Sequence, residues 1–306
     1  MKILMVLVGI LGINQAHARF TDLDLQTLIK ESVAKDSDAL IVWKDGKVLH
    51  SFDKNSANRY SIQSVTKSLA SLTTACILKN EPDTLDAAPA FKEWMGTTKN
   101  DISLRMLLQM SSGIQDPTDF WKHKEYYDYS LELPLVTTPG NRFSYANSST
   151  MLVGRWIKEK TGNSFSQNLQ KCFLKDLDIS EFIISTDSQG NEVASGGLYL
   201  KSYDLLKFGI MLAQQGKYNG KELLTSNQVY QLRSDYLRDG NGYGQGFWTW
   251  GKKIYYGEGF LGQWLIVVPN QNLVIVRLRN PANMQWSVDD DLKWWHELPA
   301  LIQSLI

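Results

Sequence analysis

Near the start of the chain, Leu23, Leu25, Leu28, Ile29 and Val33 fall on or near one side of a 3.6-residue period, which predicts a helix. Short apolar runs follow, at 39–43 and 48–50, separated by Lys44-Asp45-Gly46-Lys47. Asp-Gly between two such runs predicts a β-hairpin, because glycine accepts the positive φ of the turn. From about 64 to 235 the helical period returns, over segments around 64–79, 103–111, 149–161, 164–174 and 202–215. Clusters such as Thr138-Pro139-Gly140-Asn141 break it. Beyond Gly242 the chain turns rich in glycine, aromatic and β-branched residues. Strands are predicted at 246–250, 254–256, 263–268 and 273–278, with turns at 251–253 and 269–272. Residues 288–306 read as a closing helix in which Pro299 favours a kink.

Strands at both ends and helices between them predict an α+β protein. One antiparallel sheet is built from both chain ends, about 19–63 and 236–306, with flanking helices. A mainly helical region, about 64–235, is inserted between them, and the cleft between the two parts is the natural place for a site. The first residues follow a different pattern. Lys2 precedes an apolar stretch at 3–13 and then Ala16-His17-Ala18, the form of a secretory signal peptide over 1–18. That stretch is too short for a stop-transfer helix. The expectation is a single mature domain at 19–306, periplasmic or secreted, without a stable membrane anchor after cleavage.

Composition narrows the function. Of 306 residues, 43% are hydrophobic and 21% charged, and 32 Lys and Arg balance 32 Asp and Glu. A neutral chain without basic runs argues against nucleic acid as a partner. His50, His123 and His296 form no His-x-His or His-Glu-x-x-His arrangement, so no metal site is read from the sequence. Cys76 and Cys172 are the only cysteines, and the sequence leaves open whether they pair or stay as buried thiols.

Ser-x-x-Lys is a candidate nucleophile and base, since residues three apart share a helix face and a serine hydroxyl needs a neighbouring base. It occurs at Ser32–Lys35, Ser51–Lys54 and Ser64–Lys67. Ser32 reads as solvated surface, and Ser51 follows a hairpin strand, where i and i+3 do not face each other. Ser64 opens a long helix rich in small residues, whose N-terminus offers backbone N–H groups to an oxyanion. Tyr145-Ala146-Asn147 is the only Tyr-x-Asn in the chain. In extended backbone both side chains would face one cleft, with Tyr145 holding a lowered pKa and shuttling protons, and Asn147 orienting Lys67 or binding a substrate carbonyl. Packing for Tyr145 and helix capping for Asn147 are the structural alternatives. Gly257-Glu258-Gly259-Phe260 offers close backbone approach to a ligand, or simply a bulged strand.

These three pieces, in this order, resemble the serine hydrolase family of class C β-lactamases, D-alanyl-D-alanine carboxypeptidases and related esterases and amidases. Ser64-Val-Thr-Lys67 matches the first motif and Tyr145-Ala-Asn147 the second. The likeness covers roughly 38–280 and includes the phrases 102–113, 194–198 and 202–208. It implies an acyl-enzyme on Ser64, acid–base work shared by Lys67 and Tyr145, an oxyanion hole from the N–H groups of Ser64 and Phe260, and neither a metal nor an organic cofactor. Asn147, Gly257, Gly259 and Phe260 would line the substrate site. Gly257 stands where the family usually has Lys or His, a cation that helps bind a substrate carboxylate. That departure points to an ester or amide substrate, small or peptide-like, rather than penicillin or a D-alanine terminus. Lys252, Lys253 and Arg277 are candidates for a replacement charge. A penicillin-recognising enzyme and a non-catalytic binding protein on the same scaffold are the alternatives.

Overall fold

The protein is described by a computed structural model covering residues 20–34, 36–234, 242–250 and 253–280. The expected signal peptide at 1–18 and closing helix at 288–306 lie outside the described residues. Helix α1 (Asp22–Ala34) leads into the hairpin of β1 (Ala39–Lys44) and β2 (Lys47–Asp53). Asp45 and Gly46 carry φ of 48° and 84°, so both turn residues are left-handed, as a two-residue type I′ turn requires. Next come β3 (Tyr60–Ser61), α2 (Val65–Ile77), α3 (Leu104–Leu108), α4 (Tyr126–Glu132), α5 (Asn147–Thr161) and α6 (Phe165–Leu169). They are followed by β4 (Ile183–Ile184), β5 (Leu198–Leu200), α7 (Ser202–Ala213), β6 (Lys217–Tyr218), β7 (Lys221–Glu222) and α8 (Ser226–Leu232). The last described strands are β8 (Trp248–Trp250), β9 (Ile254–Gly259), β10 (Gln263–Val268) and β11 (Leu273–Leu278).

Among the described residues, six strands form one antiparallel sheet in the order β2-β1-β11-β10-β9-β8. The N-terminal hairpin joins it through β1 against β11, with Ala39 opposite Leu278 and Lys44 opposite Leu273. The sheet is therefore α+β and assembled from both chain ends. Strands β9, β10 and β11 are buried along their whole length because both faces are covered. Ile41, Trp43, Leu265, Val267, Val274 and Val276 face the helical region. Leu40, Val42, Trp264, Ile266 and Ile275 face the other way and pack with Leu25 and Leu28 of α1. Helix α2 runs through the middle and is buried on all sides from Val65 to Thr74, as its small and apolar residues allow.

Differences from the expectations have local causes. Strands β3, β4 and β5 form a second small sheet of two- and three-residue pieces, too short to show an alternating pattern. Helices α4 and α8 have only seven residues each, about two turns, which is little room for a 3.6 period to show. Strand β9 runs on to Gly259 because its glycines pack rather than loop out. Ser32 is buried, not solvated, and its hydroxyl shares a hydrogen bond of 2.5 Å with that of Ser37. Cys76 and Cys172 are joined in a disulfide that ties the C-terminal end of α2 to the segment after α6.

Candidate active site

Ser64 sits at the N-cap position of α2, half-buried, at the end of a sharp turn out of β3. Gln63 before it adopts a left-handed backbone, φ 49°, a conformation that costs a non-glycine residue about 1–2 kcal/mol. The next three N–H groups, of Val65, Thr66 and Lys67, donate back to the carbonyls of Ile62, Gln63 and Ser64 at 2.9–3.1 Å. Ser64 thus stands at the positive end of a buried helix, where developing negative charge is stabilised.

One turn on, Lys67 is buried, and its Nζ makes three contacts. It lies 3.1 Å from Ser64 Oγ, 2.8 Å from Asn147 Oδ1 and 2.6 Å from the carbonyl of Ser195. Burial lowers its pKa from 10.5 to about 7, opposed in part by the negative charge of Asp116. Tyr145 lies alongside, its ring centroid 5.0 Å from Lys67 Nζ and its hydroxyl hydrogen-bonded with Ser64. The Tyr145 ring stacks on Trp248 of β8, centroids 5.8 Å apart and planes within 12°, beside Phe143 and Tyr243. This crowding pushes the phenol well above its ordinary pKa of 10; the hydrogen bond with Ser64 opposes the shift without overcoming it. The lowered pKa expected of Tyr145 is therefore corrected: apolar aromatics, not lysines, dominate its surroundings.

Asn147 reaches the same point by a different route from the one expected. It is the first residue of α5, after an extended Ala146, and so turns inward with the helix. It does not cap α5. That role falls to Asp116, whose Oδ1 accepts the Ser148 N–H at 2.9 Å while its Oδ2 accepts Asn147 Nδ2 at 3.2 Å. Asp116 and the Ser195 carbonyl were both missed by sequence reasoning. The carboxylate is 31 and 32 residues from its two partners, and a backbone acceptor carries no side-chain signature.

On the sheet side, β9 presses against α2. A Cβ on Gly257 would lie 2.8 Å from Ser68 Oγ and 3.0 Å from Val65 Cγ1. One on Gly259 would lie 2.5 Å from the carbonyl oxygen of Ile62 and 3.0 Å from Gln63 Cβ. The two glycines bring β9 against the backbone that leads into Ser64, and Phe260 follows in the turn with its ring exposed. Glu258, opposite Trp264, faces the far side of the sheet.

A family model described as Beta-lactamase matches residues 25–297, most of the chain. The chain belongs to the β-lactamase family. Solved structures agree in fold at low identity. A penicillin-binding protein from Bacillus halodurans matches with a TM-score of 0.68 at 19% identity, over 92% of this chain and 99% of that one. An octameric penicillin-binding protein homologue from Pyrococcus abyssi matches at 0.71 and 17%, over 92% and 78%. A Bacillus anthracis protein named for 6-aminohexanoate-dimer hydrolysis matches at 0.77 and 20%, over 91% and 80%.

In this β-lactamase-family protein neither described candidate supplies the charge missing at Gly257. Lys253 is exposed at the opposite end of β9 from Gly259. Arg277 is buried on the far face of the sheet, where it donates to Ser37 Oγ at 2.7 Å and to the Gly262 carbonyl at 3.0 Å. Lys252 lies outside the described residues. The other two Ser-x-x-Lys serines are also away from the site: Ser32 bonds Ser37, and Ser51 accepts from Tyr203.

Proposed function

We propose that this chain is a serine hydrolase that cleaves an ester or amide through an acyl-Ser64 intermediate. One observation carries the reading. Two of the three Lys67 contacts are carbonyl oxygens, which only accept, so they take two amine hydrogens. With burial bringing the pKa to about 7, the neutral amine aims its lone pair at the third neighbour, Ser64 Oγ. That is the arrangement of a general base beside its nucleophile.

The proposed steps use the residues gathered around Ser64. Lys67 takes the hydroxyl proton as Ser64 Oγ attacks the carbonyl carbon. The oxyanion is held by the Ser64 N–H at the head of α2, with the Phe260 N–H as its partner donor. Tyr145, kept protonated by its surroundings, gives its proton to the leaving alcohol or amine and recovers one from the Lys67 ammonium that lies beside it. Water then attacks the acyl-enzyme by the reverse relay and frees the acid.

Gly257 supports an ester or amide over a penicillin. A lysine there would need space that Ser68 and Val65 fill, so the usual recognition of a substrate carboxylate is lost together with the room for it. Export to the periplasm or medium is part of the proposal. It is supported by the pattern of residues 1–18 and by the Cys76–Cys172 disulfide, a bond that persists in oxidising compartments. The test is a panel of short-chain aryl esters, aryl amides and a fluorescent penicillin, each with the wild type and Ser64→Ala. Turnover of esters or amides that is lost in Ser64→Ala supports the reading. Ser64-dependent labelling by the penicillin alone would replace it with the penicillin-recognising one.

A further inference from the structure

The Asn147 amide can sit in two orientations, and only one leaves a working base. With its carbonyl toward Lys67, as observed, Asn147 accepts an amine hydrogen and the lone pair stays on Ser64. With the amide reversed, its NH₂ would donate to that lone pair and occupy it. A carboxylate cannot donate, so Asp116 beside the far end of the amide admits only the NH₂ there. Asp116 is itself pinned. Its second oxygen holds the Ser148 N–H, and Ser148 Oγ donates to the neighbouring Gln115 carbonyl at 3.0 Å. We propose that Asp116 is a positioning residue: its carboxylate fixes the orientation of the Asn147 amide and thereby keeps the Lys67 lone pair directed at Ser64.

The role rests on the hydrolase reading only in what the base is for; the orientation of the amide and the field at Lys67 stand without it. Few charges compete for that field. From its own helix Lys67 faces Ser64, from the segment before α5 the Tyr145 ring, from α5 the Asn147 amide, and from the 194–197 segment the Ser195 carbonyl. From β9, Gly257 and Gly259 bring no side chain, and Glu258 lies on the far face of the sheet. Among the described residues, Asp116 is the charged side chain that bears on Lys67, and it favours the ammonium.

Transposing the charge tests this. In Asp116→Asn two amides meet, Asn147 reverses, and the negative charge is gone. Ester kcat/KM is expected to fall about 100-fold, at the lower end of what a general base contributes. The Lys67 titration midpoint, read by NMR of ¹³C-labelled lysine and assigned with Lys67→Arg, moves down. In Asp116→Asn/Asn147→Asp the donor and acceptor pattern is restored with the carboxylate now touching Lys67. The midpoint then moves above the wild-type value and activity returns at high pH. Opposite shifts in the two variants are a signature that a merely structural residue would not give. The double variant keeps the interlock, so it reports even if the single one does not fold. A wild-type midpoint and kcat/KM in Asp116→Asn would overturn the proposal. So would a double variant whose midpoint does not rise. If the wild type turns over no ester or amide, the hydrolase reading fails while the two midpoints still decide the role of Asp116.

Discussion

Ser68 Oγ occupies the space that the first side-chain atom of residue 257 would need, 2.8 Å from a Cβ placed there, and donates instead to the Gly246 carbonyl at 2.5 Å. Glycine at 257 is therefore part of how β9 packs on α2. Gly257→Ala is expected to cost about 1–3 kcal/mol, the usual penalty of overpacking, and to lower the thermal midpoint by several degrees. Ser68→Ala in the same chain should recover part of that loss, since the remaining Cβ–Cβ approach of 3.5 Å is ordinary contact. Thermal melts of the two single variants and the double variant measure the coupling, and strict additivity would refute the packing argument.

The pH profile should carry the mark of a buried lysine. Burial lowers the Lys67 pKa, so the amine is charged below about pH 7 and neutral above it. Acylation by the neutral form should lose about tenfold in kcat/KM for each pH unit below 7. Lys67→Arg stays charged throughout and should be inactive at every pH. An acid limb near pH 10 would place the lysine in an ordinary, water-exposed state.

Tyr145→Phe separates proton transfer from packing. The ring and its stack on Trp248 remain, so the thermal midpoint should change little. Loss of the hydroxyl should lower kcat by about 10²- to 10⁴-fold, the range of general acid–base groups. Because the phenol is held protonated, the loss should be larger for amides, whose leaving group needs a proton, than for aryl esters, whose leaving group does not. Equal losses for both substrates would argue against Tyr145 as the proton donor.

The disulfide should act on stability and not on chemistry. It closes a loop across a sequence separation of 96, and removing such a bond costs about 2–4 kcal/mol. Cys76 lies twelve residues after Ser64 along α2, roughly 18 Å by the helical rise. Cys76→Ala/Cys172→Ala should melt at a lower temperature yet retain its activity at 25 °C. Lost activity in a folded variant would show that the far end of α2 bears on the dyad.

What the sequence made legible was local. Ser64 and Lys67 are one helical turn apart, and their meeting needs only that α2 be a helix. The apolar runs of β10 and β11 announce strands whose two faces are both covered. Asn147 joined Lys67 for another reason than alternation, because the chain begins α5 at that residue. Asp116, the Ser195 carbonyl and the Cys76–Cys172 pair all depend on how distant segments come together. The pKa of Tyr145 was misjudged because Trp248 and Tyr243, about a hundred residues downstream, supply the apolar wall. Gly257 could be read as a missing cation, but the space closed by Ser68 could not.

The central claim is the covalent bond to Ser64. Rapid mixing of the protein with an aryl ester, followed by acid quench and intact-mass measurement, should show the protein gain the mass of the acyl group. Peptide mapping should place that mass on Ser64, and Ser64→Ala should show neither the adduct nor turnover. Undiminished hydrolysis by Ser64→Ala, or an adduct on any other residue, would contradict the account.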